Sequence, residues 1–232
     1  MKTIISDKKS SQLTIAERIS RLIKEKPDAV LALAGGRSVQ GLYEALLEMH
    51  RSGLLSFAGV RVFAVAEYVD AEAAHSHRKT IYEDFLAHTD IAPENCFFPK
   101  AEECEEYERL IEAAGGIDLA VLGLGENAHI GYNEPATPFS SLTHVQKLTD
   151  ATKRQNLAIF GAYDRVPEKA VTMGIKTIIS AKEIFVLAFG ESKAQAVHKM
   201  LYGRNDSVIP AAFLQIPMNV TAWLDEAASS EL

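Results

Sequence analysis

The 232-residue sequence predicts a single α/β domain built around a mainly parallel central sheet. Three observations carry this reading. Residues 29–34, 60–65, 117–122 and 181–189 are short apolar runs without strict alternation, as expected of strands buried on both faces. The intervening segments carry helical spacing and are punctuated by glycine turns. A hydrophobic content of 47% in a chain of this length is enough for one substantial core and does not call for a second domain.

Taken in order, Thr14 and Glu17 have capping-box spacing, and Ile15, Ile19, Leu22 and Ile23 share a face, so a helix is expected to run to about Lys26 before Pro27. Strand 29–34 ends in Gly35-Gly36-Arg37-Ser38, and a helix with Leu42, Leu46 and Met49 on one side follows. Strand, glycine turn and helix start together suit a phosphate, because the backbone can approach closely and free N–H groups favour an anion. The turn is neither a P-loop nor a dinucleotide fingerprint, and on its own it reads equally well as a simple chain reversal.

Strand 60–65 runs into Ala66-Glu67-Tyr68-Val69, at the strand end where open α/β sheets gather ligand-binding groups. The polar segment 70–78 contains His75 and His77, but no cysteine or second histidine pair accompanies them, so a solvated loop is expected rather than a metal site. A helix over 80–87, a turn at 92–95, a short strand at 96–98 and an amphipathic helix over 102–114 come next. Tyr107, Leu110 and Ile111 form its inward face, and Glu102, Glu103, Glu105 and Glu106 its solvated one.

Strand 117–122 opens into the most informative stretch, 121–135, where glycines are followed by His129 and Glu134. Residues 140–167 have weak periodicity and read either as a mobile cover over a pocket or as a long surface excursion. Strand 181–189 turns through Gly190 into a helix extending to about Met200. Lys193 sits in that helix's first turn, where a cation opposes the dipole; an anionic ligand or plain solvation would explain it.

The net charge of −7 argues against a general polyanion binder, so no nucleic-acid partner is expected. Cys96 and Cys104 lack the paired spacing of a disulfide framework or zinc site. No apolar stretch is long enough for a membrane span, and the N-terminus lacks the features of a signal peptide, so a cytoplasmic location is expected.

With the Gly-Gly turn, Ala-Glu-Tyr-Val, Gly-x-Gly-x-x-x-His-Ile-x-x-Asn-Glu-Pro and Gly-Glu-Ser-Lys-Ala all in order, nearly the whole chain resembles the glucosamine-6-phosphate deaminase family. The run from Gly123 to His129 is shared in outline with the related 6-phosphogluconolactonases, whereas Asn133-Glu134-Pro135 resembles the deaminases alone. The wording at 115–127 and 209–214 is closest to the galactosamine-6-phosphate deaminase/isomerase branch.

The resemblance implies a three-layer, Rossmann-like fold and conversion of glucosamine 6-phosphate or galactosamine 6-phosphate to a ketose 6-phosphate plus ammonia. The implied partner is a small-molecule sugar phosphate, with no cofactor and no metal. A homo-oligomer is compatible with it. The hexamer and activation of the allosteric members are not implied, because His144, Gln146 and Lys147 preserve their basic set poorly.

Residue by residue, the resemblance makes His129 the ring-opening acid–base group, a task suited to imidazole. Glu134 matches the carboxylate that orients and charges it. Asn127 stands where many members have a second acid, which removes a negative charge that would raise the histidine's pKa. Gly35, Gly36 and Ser38 match the phosphate cradle and Lys193 the phosphate lysine. The family's cover-segment arginine is replaced by Ala158, with Arg154 and Arg165 nearby, and Arg37 is the candidate substitute.

Ala66 falls where the family carries its base aspartate, and alanine moves no proton. Glu67 is the neighbouring carboxylate, but adjacent residues of an extended segment face opposite ways, so its use as the base requires a local bend. An unreplaced base would cost roughly 10²- to 10⁴-fold in rate. The alternatives are therefore a sugar-lactone phosphate hydrolase and a catalytically weakened sugar-phosphate-binding paralogue.

Overall fold

The computed structural model describes residues 1–232, with the side chain of Ala73 outside the described set. Its elements are β1 (Lys2–Ile5), α1 (Lys8–Glu25), β2 (Val30–Leu33), α2 (Gln40–Arg51), β3 (Arg61–Ala64), β4 (Ala66–Tyr68), β5 (Cys96–Phe97), α3 (Cys104–Ala113), β6 (Leu119–Gly123) and β7 (His144–Lys147). These are followed by α4 (Asp150–Gln155), α5 (Leu157–Phe160), β8 (Lys169–Thr172), α6 (Ile175–Ile179), β9 (Ile184–Ala188), α7 (Ala194–Tyr202) and β10 (Val220–Leu224).

Seven parallel strands form the main sheet in the order β1-β10-β9-β6-β2-β3-β5. The unbroken apolar runs follow from this geometry. Along β2, Val30 and Ala32 enter one core while Leu31 and Leu33 enter the other. The first core contains Tyr107 and Ile111 of α3 and Val197 and Met200 of α7; the second contains Ile15 and Ile19 of α1 and Leu42 and Leu46 of α2. The fold is thus a three-layer, Rossmann-like α/β sandwich, with the mainly parallel sheet that the apolar runs predict and the layering that the resemblance implies.

Several boundaries differ from expectation. α1 begins at Lys8 because Asp7 caps it, accepting the Ser10 N–H at 2.9 Å; Thr14 instead donates its hydroxyl to the Ser10 carbonyl within the helix. The segment expected as a helix over 80–87 is a π-helical turn at Lys79–Glu83 followed by a 3₁₀ turn at Leu86–His88. Two further strands, β1 and β10, complete one edge of the sheet.

A second, antiparallel sheet, ordered β4-β8-β7, lies beyond the end of β3. It takes β4 from before the 140–167 segment, β7 from within it and β8 from just after it. That segment is therefore built of β7, α4, α5 and a 3₁₀ turn at Tyr163–Arg165. Among the described residues, no helix is long and apolar enough to cross a membrane.

Chain order reverses between β2 and β6: β3 and β5 extend the sheet on one side, β9, β10 and β1 on the other. Their carboxyl ends splay their following loops apart there, which is where open α/β sheets accommodate ligands.

Candidate active site

A cavity of about 630 Å³ opens at this switch point, within the size range of small-molecule sites. Its walls come from the loops after β2, β3, β6 and β9 together with residues of α4 and α5.

His129 enters from the loop after β6. A tight turn closes with the Ala128 N–H donating to the Gly125 carbonyl at 2.9 Å, and Ala128 adopts a left-handed φ of 64° to complete it. Gly125 is required because the imidazole lies directly over it; an added Cβ would overlap the ring. His129 is only 6% exposed.

Its Nδ1 lies 2.7 Å from the Asn127 side-chain oxygen, and the Asn127 amide donates to Glu134 Oε2, also at 2.7 Å. An amide oxygen can only accept, so Nδ1 carries the hydrogen and Nε2 is left as the ring's acceptor. Glu134 itself is 3.7 Å from Nδ1, too far for a direct hydrogen bond, and its other oxygen accepts the Thr149 N–H at 3.1 Å. Glu134, which the resemblance implies orients and charges the histidine, thus reaches it through Asn127.

Burial lowers the His129 pKa to about 4, with Glu134 opposing the shift and Lys193 adding to it. The ring is neutral at pH 7. Asn133 has a structural part: its amide donates to the Ile130 and Met173 carbonyls, both at 2.8 Å, tying the loop to the chain beyond β8.

Gly35, Gly36, Arg37 and Ser38 form another wall, immediately before α2, and Lys193 faces the same cavity. Gln12 holds this turn from α1, its amide donating to the Ser38 carbonyl at 2.8 Å. The Lys193 pKa is lowered, first by burial and then by Arg37, while Glu126 opposes both. Two cations near enough to repel, beside a glycine turn at a helix start, suit an anion. Neither Arg154 nor Arg165 is among the residues lining the cavity.

Glu67 is not brought into the site. Its Oε1 accepts the Tyr68 and His77 N–H groups at 2.8 and 2.9 Å, and its Oε2 accepts that of Arg78 at 2.8 Å. The bend that would turn it inward is absent: Ala66 faces the cavity and Glu67, on the opposite face of β4, fastens the following loop.

That loop contributes His75 and His77 to the cavity, where the sequence suggests only a solvated segment. Tyr68, Tyr132 and Gln155 also line it, and Thr152 supports His129 with its hydroxyl 3.2 Å from Nδ1. The histidine spacing alone could not locate His75 and His77, because the fold of the loop brings them inward. Among the described residues, no group of three or more His, Cys, Asp or Glu side chains is arranged to hold a metal.

Residues 8–223 match the family described as glucosamine-6-phosphate isomerases/6-phosphogluconolactonase. The chain belongs to this family. Family relatives include a glucosamine-6-phosphate deaminase of Bacillus velezensis, 43% identical over 222 residues that cover 92% of each chain. Glucosamine-6-phosphate deaminase 1 of Bacillus subtilis is 40% identical over 93% of each chain.

Among solved structures, a monomeric glucosamine-6-phosphate deaminase superposes with a TM-score of 0.96 at 37% identity, covering 100% of both chains. A 6-phosphogluconolactonase from Trypanosoma cruzi shares the fold, with a TM-score of 0.80 at 20% identity and coverage of 100% of this chain and 96% of its own.

Proposed function

We propose that this protein is a hexosamine-6-phosphate deaminase/isomerase, converting glucosamine 6-phosphate or galactosamine 6-phosphate to a ketose 6-phosphate and ammonia. The observation that carries the reading is one cavity flanked by the neutral His129 and, on another wall, by the glycine turn with Arg37 and Lys193. A sugar phosphate has both the anion and the ring oxygen that these two ends require.

In this reading the phosphate accepts hydrogen bonds from the backbone at Gly35, Gly36 and Ser38, and from Arg37 and Lys193. His129 Nε2 takes the proton of the C1 hydroxyl and returns it to the ring oxygen as the C1–O bond of the ring breaks, giving the open aldehyde. Asn127 fixes the tautomer that leaves Nε2 free, and Glu134 holds Asn127 in the orientation that does so. Family relatives that are about 40% identical and named as glucosamine-6-phosphate deaminases support the same reaction.

Ala66 favours a second reading, in which the protein binds a sugar phosphate without turning it over. Ammonia release from both amino-sugar phosphates, measured beside hydrolysis of 6-phosphogluconolactone, separates the readings. Ammonia release supports the deaminase, lactone hydrolysis alone supports a hydrolase, and micromolar binding without turnover supports the non-catalytic reading.

A further inference from the structure

Moving a proton from C2 to C1 of an opened amino sugar needs a base, and the cavity's wall at the end of β3 offers Ala66 instead. Two carboxylates line the cavity: Asp84 pairs with Lys79, and Glu126, which is exposed, follows β6 within electrostatic reach of His129 and Lys193 rather than standing at the end of β3. Glu67 is held by three backbone N–H groups.

His77 occupies the vacated region. It packs against Gly35, where an added Cβ would come within 2.7 Å of the His77 Cβ and Cγ, so the bare glycine and this histidine require each other. Tyr68 meets the imidazole edge-on with centroids 5.0 Å apart, and Tyr132 lies tilted beside it at 5.6 Å. Nδ1 is sealed from solvent, which leaves Nε2 as the ring nitrogen able to exchange a proton with a bound molecule; it lies 3.2 Å from the Tyr132 hydroxyl oxygen.

Tyr132 in turn lies 5.9 Å, centroid to centroid, from His129. The cavity therefore holds two imidazoles with one tyrosine between them. Burial lowers the His77 pKa, with Glu67 and the Ala66 backbone opposing, so the ring is neutral at pH 7. The Tyr132 hydroxyl, its pKa raised well above the ordinary phenol value, stays protonated and is hydrogen-bonded to Tyr68, which leaves the lone pair of Nε2 unfilled.

We infer that His77 is the proton acceptor for C2 of the opened amino sugar, replacing in space the side chain that Ala66 lacks; this rests on the deaminase reading. The C2–H bond breaks, its proton passes to Nε2, its electron pair forms a C1–C2 double bond, and the aldehyde π pair moves onto oxygen. His77 then returns the proton to C1 while the nitrogen lone pair forms a C2–N double bond and an amine proton ends on the C1 oxygen. Water adds to the imine carbon, the C–N bond breaks, and ammonia leaves with the ketose. No oxidant or reductant is required.

The test compares wild type, His77→Gln and the double variant His77→Gln/Ala66→Asp in ammonia release from glucosamine 6-phosphate and galactosamine 6-phosphate. His77→Gln is expected to lose roughly 10²- to 10⁴-fold in kcat with KM little changed. The added aspartate is expected to restore at least about tenfold of it, a recovery that a packing role for His77 would not give. Should His77→Gln fail to fold, Tyr132→Phe, which removes the hydroxyl oxygen 3.2 Å from Nε2 that would accept its hydrogen once His77 is protonated, is expected to lower kcat with KM unchanged.

An active wild type whose His77→Gln variant keeps its kcat, or whose Tyr132→Phe variant keeps it where His77→Gln cannot be obtained, overturns the inference alone. A loss in His77→Gln that the aspartate does not restore also overturns it, assigning His77 to packing. A wild type that releases no ammonia overturns the functional reading, and the inference with it.

Discussion

Asn127 stands between His129 and Glu134, accepting the Nδ1 hydrogen of one and donating to the carboxylate of the other at 2.7 Å each. An amide in this position passes on orientation without passing on charge. The histidine keeps its tautomer, and burial is left to set its pKa at about 4.

Replacing Asn127 with aspartate puts a negative charge against Nδ1 and raises the His129 pKa. The acid limb of the kcat–pH profile is expected to move to higher pH by a corresponding amount. Asn127→Ala, which removes the orienting acceptor, is expected to lower kcat by about tenfold or more, up to the roughly 10²- to 10⁴-fold of a whole acid–base group. Steady-state ammonia release across pH checks both.

His129 also links stability to pH. Its folded pKa of about 4 lies below the ordinary 6.5, so between those values the unfolded chain binds the proton and the folded chain does not. The contribution is fully present above pH 6.5 and is lost as pH falls toward 4. Thermal melts at about pH 7 and about pH 4.5 are expected to differ less for His129→Asn than for wild type.

Gly125→Ala drives a methyl group into the His129 ring, which Asn127 holds in place. Overpacking of this kind costs about 1–3 kcal/mol and displaces the imidazole, so kcat is expected to fall while phosphate affinity persists. Calorimetry and kinetics on the one variant measure both effects.

Arg37→Ala and Lys193→Ala are each expected to weaken sugar-phosphate binding by roughly 10- to 100-fold, the size of one charge-assisted hydrogen bond, and to leave kcat much less affected. Isothermal titration with the ketose 6-phosphate product reads the effect directly. A normal affinity in Arg37→Ala beside a weakened one in Lys193→Ala would remove Arg37 from the phosphate site.

Much of this was legible in the sequence because it is local. β2, β3, β6 and β9 are buried on both faces, so their composition alone marks them, and the glycines before His129 mark a sharp turn. What escaped depends on distant partners. β4 pairs with β8 across some hundred positions and β7 with β8 across more than twenty, and these strands are too short to carry a marked apolar run. The direction of Glu67 is fixed by the N–H groups of His77 and Arg78, and the inward turn of His77 by the space that Gly35 leaves. Neither has a signature in its own neighbourhood.

The central claim is that one cavity binds the phosphate and opens the ring of an amino sugar. Ammonia released on mixing the purified protein with glucosamine 6-phosphate or galactosamine 6-phosphate tests it most directly. Turnover of at least one, abolished in His129→Asn, is the predicted result; no ammonia from either would contradict the account.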